Sequence, residues 1–184
     1  FAADPGGKTS SMSYPFLVAG PPVDFVRLPF HVMSYFNPTG WMGDTAGLSL
    51  IDCEGPVSLC ANSCVGLQWT PPEGGGWFGV RWQHPDNNWG DSPGLSIEAG
   101  ARFIDFEAWS PQAGAAATFS VGSNGGDVFG ETGRVLLNQV PTAIRIELEQ
   151  PAGGELTTGF AVVGNAGPGE LPVSIFVRNV RWSR

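Results

Sequence analysis

The sequence predicts an all-β protein folded as a single antiparallel β-sandwich, and three observations lead there. Apolar and polar residues alternate in short segments that recur about every ten to fifteen residues, with turn-forming residues between them. No segment sustains the 3.6-residue apolar period of a helix, so nothing is at hand to cross over between parallel strands. Glycine and proline contribute 27 and 16 of the 184 residues while 42% of the chain is apolar, a balance that suits a loop-rich β domain and opposes disorder.

Taken in order, residues 1–13 are polar and Gly/Ser-rich and are expected to be a flexible tail, with the domain spanning 14–184. A short apolar strand is expected at 14–19. Residues 24–36 read as one long strand, or as two broken at Pro29. Residues 37–44, NPTGWMGD, read as a glycine-punctuated loop carrying Trp41 and Asp44. Strands follow at 48–51 and 65–69, then a turn at 71–76. After the segment 74–90, further strands are expected at 95–97, 102–109, 116–121, 134–137, 143–148, 159–163 and 173–182. A loop is expected at 122–127. The apolar phase of these strands nominates Phe78, Val80, Trp82, Ile104, Phe106, Ala108, Ile144, Ile146 and Leu148 as core.

The segment 74–90, GGGWFGVRWQHPDNNWG, concentrates three of the seven tryptophans in seventeen residues. Its first half alternates as a strand, with Phe78, Val80 and Trp82 on one face and Trp77, Gly79, Arg81 and Gln83 on the other. A polar loop follows, carrying His84, Asp86, Asn87, Asn88 and a further indole at Trp89. Flat aromatic faces beside amides, a guanidinium and carboxylates match a sugar ring, which has apolar C–H faces and hydroxyl edges. The plainer alternative, that the indoles are simply buried, weighs more for Trp82 than for Trp77 and Trp89. His84 has the chemistry of a general base, but no nucleophile is placed beside it by sequence, so a backbone-bonded loop histidine is the preferred reading.

A second alternation at 102–109 sets Phe103, Asp105, Glu107 and Trp109 against Ile104, Phe106 and Ala108. With the latter set in the core, the two carboxylates stand roughly 7 Å apart on the opposite face. Hydrogen bonding to sugar hydroxyls is ranked first for them, solvation of the sheet second and glycosidase chemistry third.

Charge narrows the partners. One lysine and eight arginines against seventeen acids give −8, which repels nucleic-acid phosphates and anionic membranes. No apolar run approaches the roughly twenty residues of a membrane span. A first residue of Phe rather than Met is read as a processed or trimmed start. Cys53, Cys60 and Cys64 lack a nearby fourth ligand for a metal, so a local disulfide in an oxidising compartment is expected. Cys53–Cys64 is preferred, because each cysteine ends an apolar run and the bond would staple the loop between. Cys60–Cys64 is the competitor.

Three segments, 38–44, 76–90 and 94–108, together resemble a group of secreted bacterial jelly-roll domains bearing a "GWAGVYWQ-P-NNWG" stretch. The closing IFVRNVRW at 175–182 is similar to the last strand of galactose-binding-like carbohydrate-binding modules. The resemblance implies a jelly-roll sandwich. It also directs attention to a structural calcium, which such modules commonly hold with acids in an early long strand and in the final strand. Here those places read His31-Val-Met-Ser34 and Arg178-Asn179, so a lost or altered site is expected and no cofactor is assigned. Asp44, Asp52 and loop carbonyls are the remaining oxygen donors.

The function expected is therefore an extracellular, secreted module that binds carbohydrate without cleaving it. Trp77 and Trp89 stack on sugar rings, Arg81, Gln83, Asp105 and Glu107 bond hydroxyls, and Asp86, Asn87 and Asn88 shape the rim, with His84 at its edge. The rivals are a glycosidase or polysaccharide lyase of the same fold, and a structural subunit that self-associates through its sheet edges with residues 1–20 adding a strand.

Overall fold

The computed structural model of the protein describes residues 25–51, 53, 64–123 and 128–184. The expected strand at 14–19 and the 1–13 tail lie outside these residues, as does Cys60. Within them the chain forms twelve strands. They are β1 (Phe25–Val26), β2 (Phe30–His31), β3 (Asn37–Gly43), β4 (Leu48–Ile51), β5 (Cys64–Trp69), β6 (Gly76–Gln83), β7 (Leu95–Trp109), β8 (Ala116–Val121), β9 (Gly130–Leu136), β10 (Thr142–Leu156), β11 (Thr158–Ala166) and β12 (Val173–Ser183).

The strands make two sheets. One, called here the β7 sheet, runs β1-β7-β12-β5-β4, with β10 on the other flank of β7 and β2 paired to β12. The other, the β6 sheet, runs β3-β6-β11-β8-β9. All pairings are antiparallel except a two-residue parallel match of β1 with Ser96 and Ile97. Apolar side chains of the two inner faces meet between the sheets. Phe106 of β7 lies 4.9 Å from Phe119 and 5.0 Å from Phe160 of the β6 sheet, ring centre to ring centre. Trp69 of β5 reaches Phe78 of β6 at 5.0 Å. Eight of the nine nominated core residues are buried; Ile144 is half-buried at the margin.

Four sequence expectations are corrected. Residues 25–36 take the second of the two alternatives, two pieces broken at Pro29, but β1 and β2 are only two residues each and a 3₁₀ turn occupies Val32–Ser34. Residues 37–43 form an edge strand rather than a loop. Pro38 and two glycines read as loop signals, yet an edge needs fewer backbone donors and tolerates them. Residues 95–109 are one continuous strand, and β10 extends to Leu156 with two register shifts. The Cys53–Cys64 disulfide is present, with Cα atoms 6.2 Å apart, and it joins the start of β5 to the segment after β4.

Candidate functional site

The nominated residues divide between two outer faces. β6 and β7 belong to different sheets, so with Phe78, Val80 and Trp82 inward and Ile104, Phe106 and Ala108 inward, their polar phases point away from each other. Trp77, Arg81 and Trp89 stand on the outside of the β6 sheet. Asp105 and Glu107 stand on the outside of the β7 sheet. The expected single cluster of all ten residues is therefore not formed; alternation within a strand fixes faces, whereas the sheet a strand joins is fixed by distant pairing.

On the β6 sheet the ladder lays out rungs across the strands. One pairs Trp77 with Asn165 of β11, and at the same end of the face Ala116 of β8 pairs with Leu136 of β9. The next holds Met42, Gly79, Val163, Thr118 and Arg134. A third holds Gly40, Arg81, Ala161, Ser120 and Glu131. The middle of this face is low and carries no charge, because Ala161, Val163, Thr118 and Ser120 are short and the apolar Met42 side chain lies over Gly79. Trp77 rises from one end, 46% exposed, and Trp89 from the other, 43% exposed. Four residue steps along the strand separate Trp77 from Arg81, about 13 Å at the usual rise. The Arg81 guanidinium sits 5.5 Å from the Trp89 ring centre, a cation–π contact that holds that indole at the rim.

Trp89 is braced through its ring by Arg81, and Trp77 through its backbone. The Trp77 amide donates to Asp44 Oδ2 at 3.1 Å, and the Asp44 amide returns a bond to the Trp77 carbonyl at 2.8 Å. Gly43, in the left-handed region at φ 72°, has no room for a side chain, because a Cβ there would lie 2.4 Å from the Trp77 carbonyl oxygen.

The loop 84–90 is organised by Asn88, which is 4% exposed. Its Nδ2 donates to the carbonyls of His84 at 3.1 Å and Ser92 at 2.9 Å, and its Oδ1 accepts from the amides of Gly90 at 3.0 Å and Ser92 at 3.2 Å. Gln83 lies beneath, fully buried, donating to the Asn88 carbonyl at 2.9 Å. Gly40 opens the space for it: a Cβ there would approach the Gln83 amide to 2.6 Å. Gln83 is thus a support of the loop and does not reach solvent, contrary to its expected role at the surface. Asn88 is likewise a support rather than a rim residue. His84 bonds through Nδ1 to the Tyr35 carbonyl at 2.9 Å. Asp86 accepts from Asn37 Nδ2 at 2.8 Å, and the amide of Asn87 donates to Thr39 Oγ1 at 2.9 Å, so both fasten the loop to β3 while staying exposed.

On the β7 sheet the carboxylates are committed to cross-strand pairs. Asp105 takes Arg145 Nε at 2.6 Å and Nη2 at 3.1 Å. Glu107 takes Arg178 Nε at 2.8 Å and Nη2 at 3.1 Å, with Asn179 Nδ2 at 2.9 Å. The Arg178 bond, aided by Asn179, holds the Glu107 carboxyl below its ordinary value despite partial burial. A glycosidase needs one acid of its pair raised, so Glu107 is unsuited to be a general acid. Arg178 and Asn179 turn donors toward Glu107, and they do not fit the oxygen cage of a calcium ion at the place where the resemblance directed attention. Asp44 is bonded as above, and Asp52 lies outside the described residues. No group of three or more His, Cys, Asp or Glu side chains among the described residues is placed to hold a metal.

Sequence reasoning missed Asn165, Thr118, Ser120 and Arg134, which come to the β6 face from strands far along the chain. No local signal marks them; only the pairing of β11, β8 and β9 does.

No family model and no curated protein matches the chain. Among solved structures the chain is similar in fold to carbohydrate-binding modules. One is TmCBM61 in complex with β-1,4-galactotriose, at 14% identity over 82% of this chain and 90% of that one, with a TM-score of 0.49. Another is the family 11 carbohydrate-binding module of the cellulosomal cellulase Lic26A-Cel5E of Clostridium thermocellum, at 14% identity over 78% and 87%, TM-score 0.45. A family 29 carbohydrate-binding module follows at 12% identity over 79% and 78%, TM-score 0.43.

Proposed function

We propose that the protein is a non-catalytic carbohydrate-binding module that takes a polysaccharide chain on the outer face of the β6 sheet. The observation that carries this reading is the pair of braced, half-exposed indoles, Trp77 and Trp89, standing at either end of a low uncharged floor. Buried indoles would be the ordinary outcome for a core; exposed ones are available for stacking. Arg81, Asn165, Thr118, Ser120 and Arg134 supply donors and acceptors for hydroxyls around that floor. Affinity is expected to be weak, since an open face leaves much of the ligand wet. The Cys53–Cys64 bond supports an oxidising, extracellular setting. No helix among the described residues is long and apolar enough to cross a membrane.

A glycan array, with reducing-sugar release followed in the same samples, tests the proposal. The expected result is binding of a neutral polysaccharide without product. An array on which the parent protein binds nothing, or a double Trp77→Ala, Trp89→Ala variant that binds as the parent does, defeats the reading.

A further inference from the structure

The outside of the β7 sheet holds a depression of about 410 Å³, lined among others by His31, Asp105, Glu107, Arg145, Asn179 and Arg181. Its size falls within the range of small-molecule sites. β12 is bulged here: the ladder matches Arg178 to Glu107 and Arg181 to Asp105, so three steps of β12 face two of β7. Asn179 takes the slack in the left-handed region at φ 57°. Bulges re-aim side chains, and this one brings Asn179 onto Glu107 beside Arg178.

The charged side chains inside are not equally partnered. Each carboxylate is already gripped by its own arginine, Asp105 by Arg145 and Glu107 by Arg178. Arg181 stands directly across the ladder from both Asp105 and His31, is exposed, and makes no ion pair or hydrogen bond with another side chain among the described residues. Of the two guanidiniums in the lining, Arg145 and Arg181, only Arg145 is held by a carboxylate, while Arg178, which holds Glu107, lies outside the lining; Arg181 is the lining cation left without a side-chain acceptor among the described residues. An arginine with no carboxylate of its own keeps its planar fork open to an anion that enters the depression.

We propose that this depression is a second binding site, separate from the β6 face, and that it takes an oxyanion carried by a sugar-sized ligand, a carboxylate or a sulfate ester. Arg181 is the principal contact, its planar fork matching either group, with His31 beside it. The choice of a sugar as the carrier rests on the glycan-binding reading of the opposite face; the anion site itself does not.

The test is two-dimensional NMR of the whole chain titrated separately with glucuronate, glucose 6-sulfate, glucose and acetate, with the Arg181 Nε–H and His31 ring signals followed. Saturable shifts with glucuronate or the sulfate, absent with glucose, are expected, and which of the two acids saturates first identifies the group. Acetate saturating as tightly as both acidic sugars overturns the sugar part. Arg181→Gln should weaken binding about tenfold or more, and Arg181→Lys less, because it keeps charge but loses the fork. Raised salt should weaken it as well. The double Trp77→Ala, Trp89→Ala variant should keep these shifts, so failure on the β6 face does not touch this site. Equal binding of glucose, undiminished binding by Arg181→Gln, or no saturable shift with either acid overturns the proposal.

Discussion

The two outer faces of this sandwich are built from the same grammar and reach opposite ends. On β7, polar residues at every second position find arginines across the ladder, and most of the charge is consumed within the protein. On β6 the outer positions face alanine, valine and short hydroxyl side chains, and the indoles of Trp77 and Trp89 at the ends of that face stay about half exposed. A face becomes available to a large neutral ligand when its neighbours are too short to satisfy it, not because it carries more polar groups.

The contrast can be broken most forcefully with tryptophan. Trp82→Ala, on the inner phase of β6, should cost about 3–5 kcal/mol in denaturant unfolding, since that indole is fully buried. Trp77→Ala, on the outer phase of the same strand, should leave the melting temperature nearly unchanged. It should weaken glycan binding by about 1–3 kcal/mol, on the scale of aromatic–base stacking. Equal loss of stability in both variants would place Trp77 in the core and remove the platform.

Next in size comes a substitution on the floor. Val163→Arg raises a long side chain between the indoles and should abolish glycan binding. Stability should change by no more than about 0.5 kcal/mol, read by isothermal calorimetry alongside thermal melts. Undisturbed binding would move the ligand elsewhere.

Smaller effects are expected on the β7 face. Glu107→Gln should cost about 1 kcal/mol, because Arg178 and Glu107 are 37% and 29% exposed and solvent screens their pair. Since the folded Glu107 carboxyl lies below its unfolded value near 4.5, its contribution is complete above that pH and is lost as pH falls through the lower folded value. Melts of the parent and Glu107→Gln proteins should therefore converge as pH drops below about 4.5; curves that stay parallel would show that the pair does not set this dependence. Asp105→Asn should cost less than Glu107→Gln, Arg145 being the more exposed partner at 58%. Neither change should alter neutral-glycan binding, and a loss there would join the two faces into one site after all.

Much of the fold was legible because it is written locally. Phe78, Val80 and Trp82 announce an inner face by period alone, as do Ile104, Phe106 and Ala108, and the Cys53–Cys64 pair follows from the runs that flank it. β3 was not legible, because Pro38, Gly40 and Gly43 carry the same signal in an edge strand as in a loop. The candidate site was half legible. Trp77, Arg81 and Trp89 lie in one short stretch, but the floor comes from β8 and β11, and the separation of Asp105 from Arg81 depends on which strands pair across the chain. Gln83 shows a further limit: its phase is the outer one, and only the folding of the next loop over it removes it from solvent.

That loop has a thermodynamic consequence. A single amide, Asn88, donates to the carbonyls of His84 and Ser92 and accepts from two amides, so an aspartate in its place would turn oxygen onto carbonyl oxygen and a leucine would leave all four groups unpartnered. On the proposed reading, the rim indole is thereby preorganised, and a glycan stacking on it would find little rotational freedom left to freeze. Asn88→Asp should loosen Trp89 without touching the ligand, and the lost affinity should emerge in calorimetry as a less favourable entropy of binding.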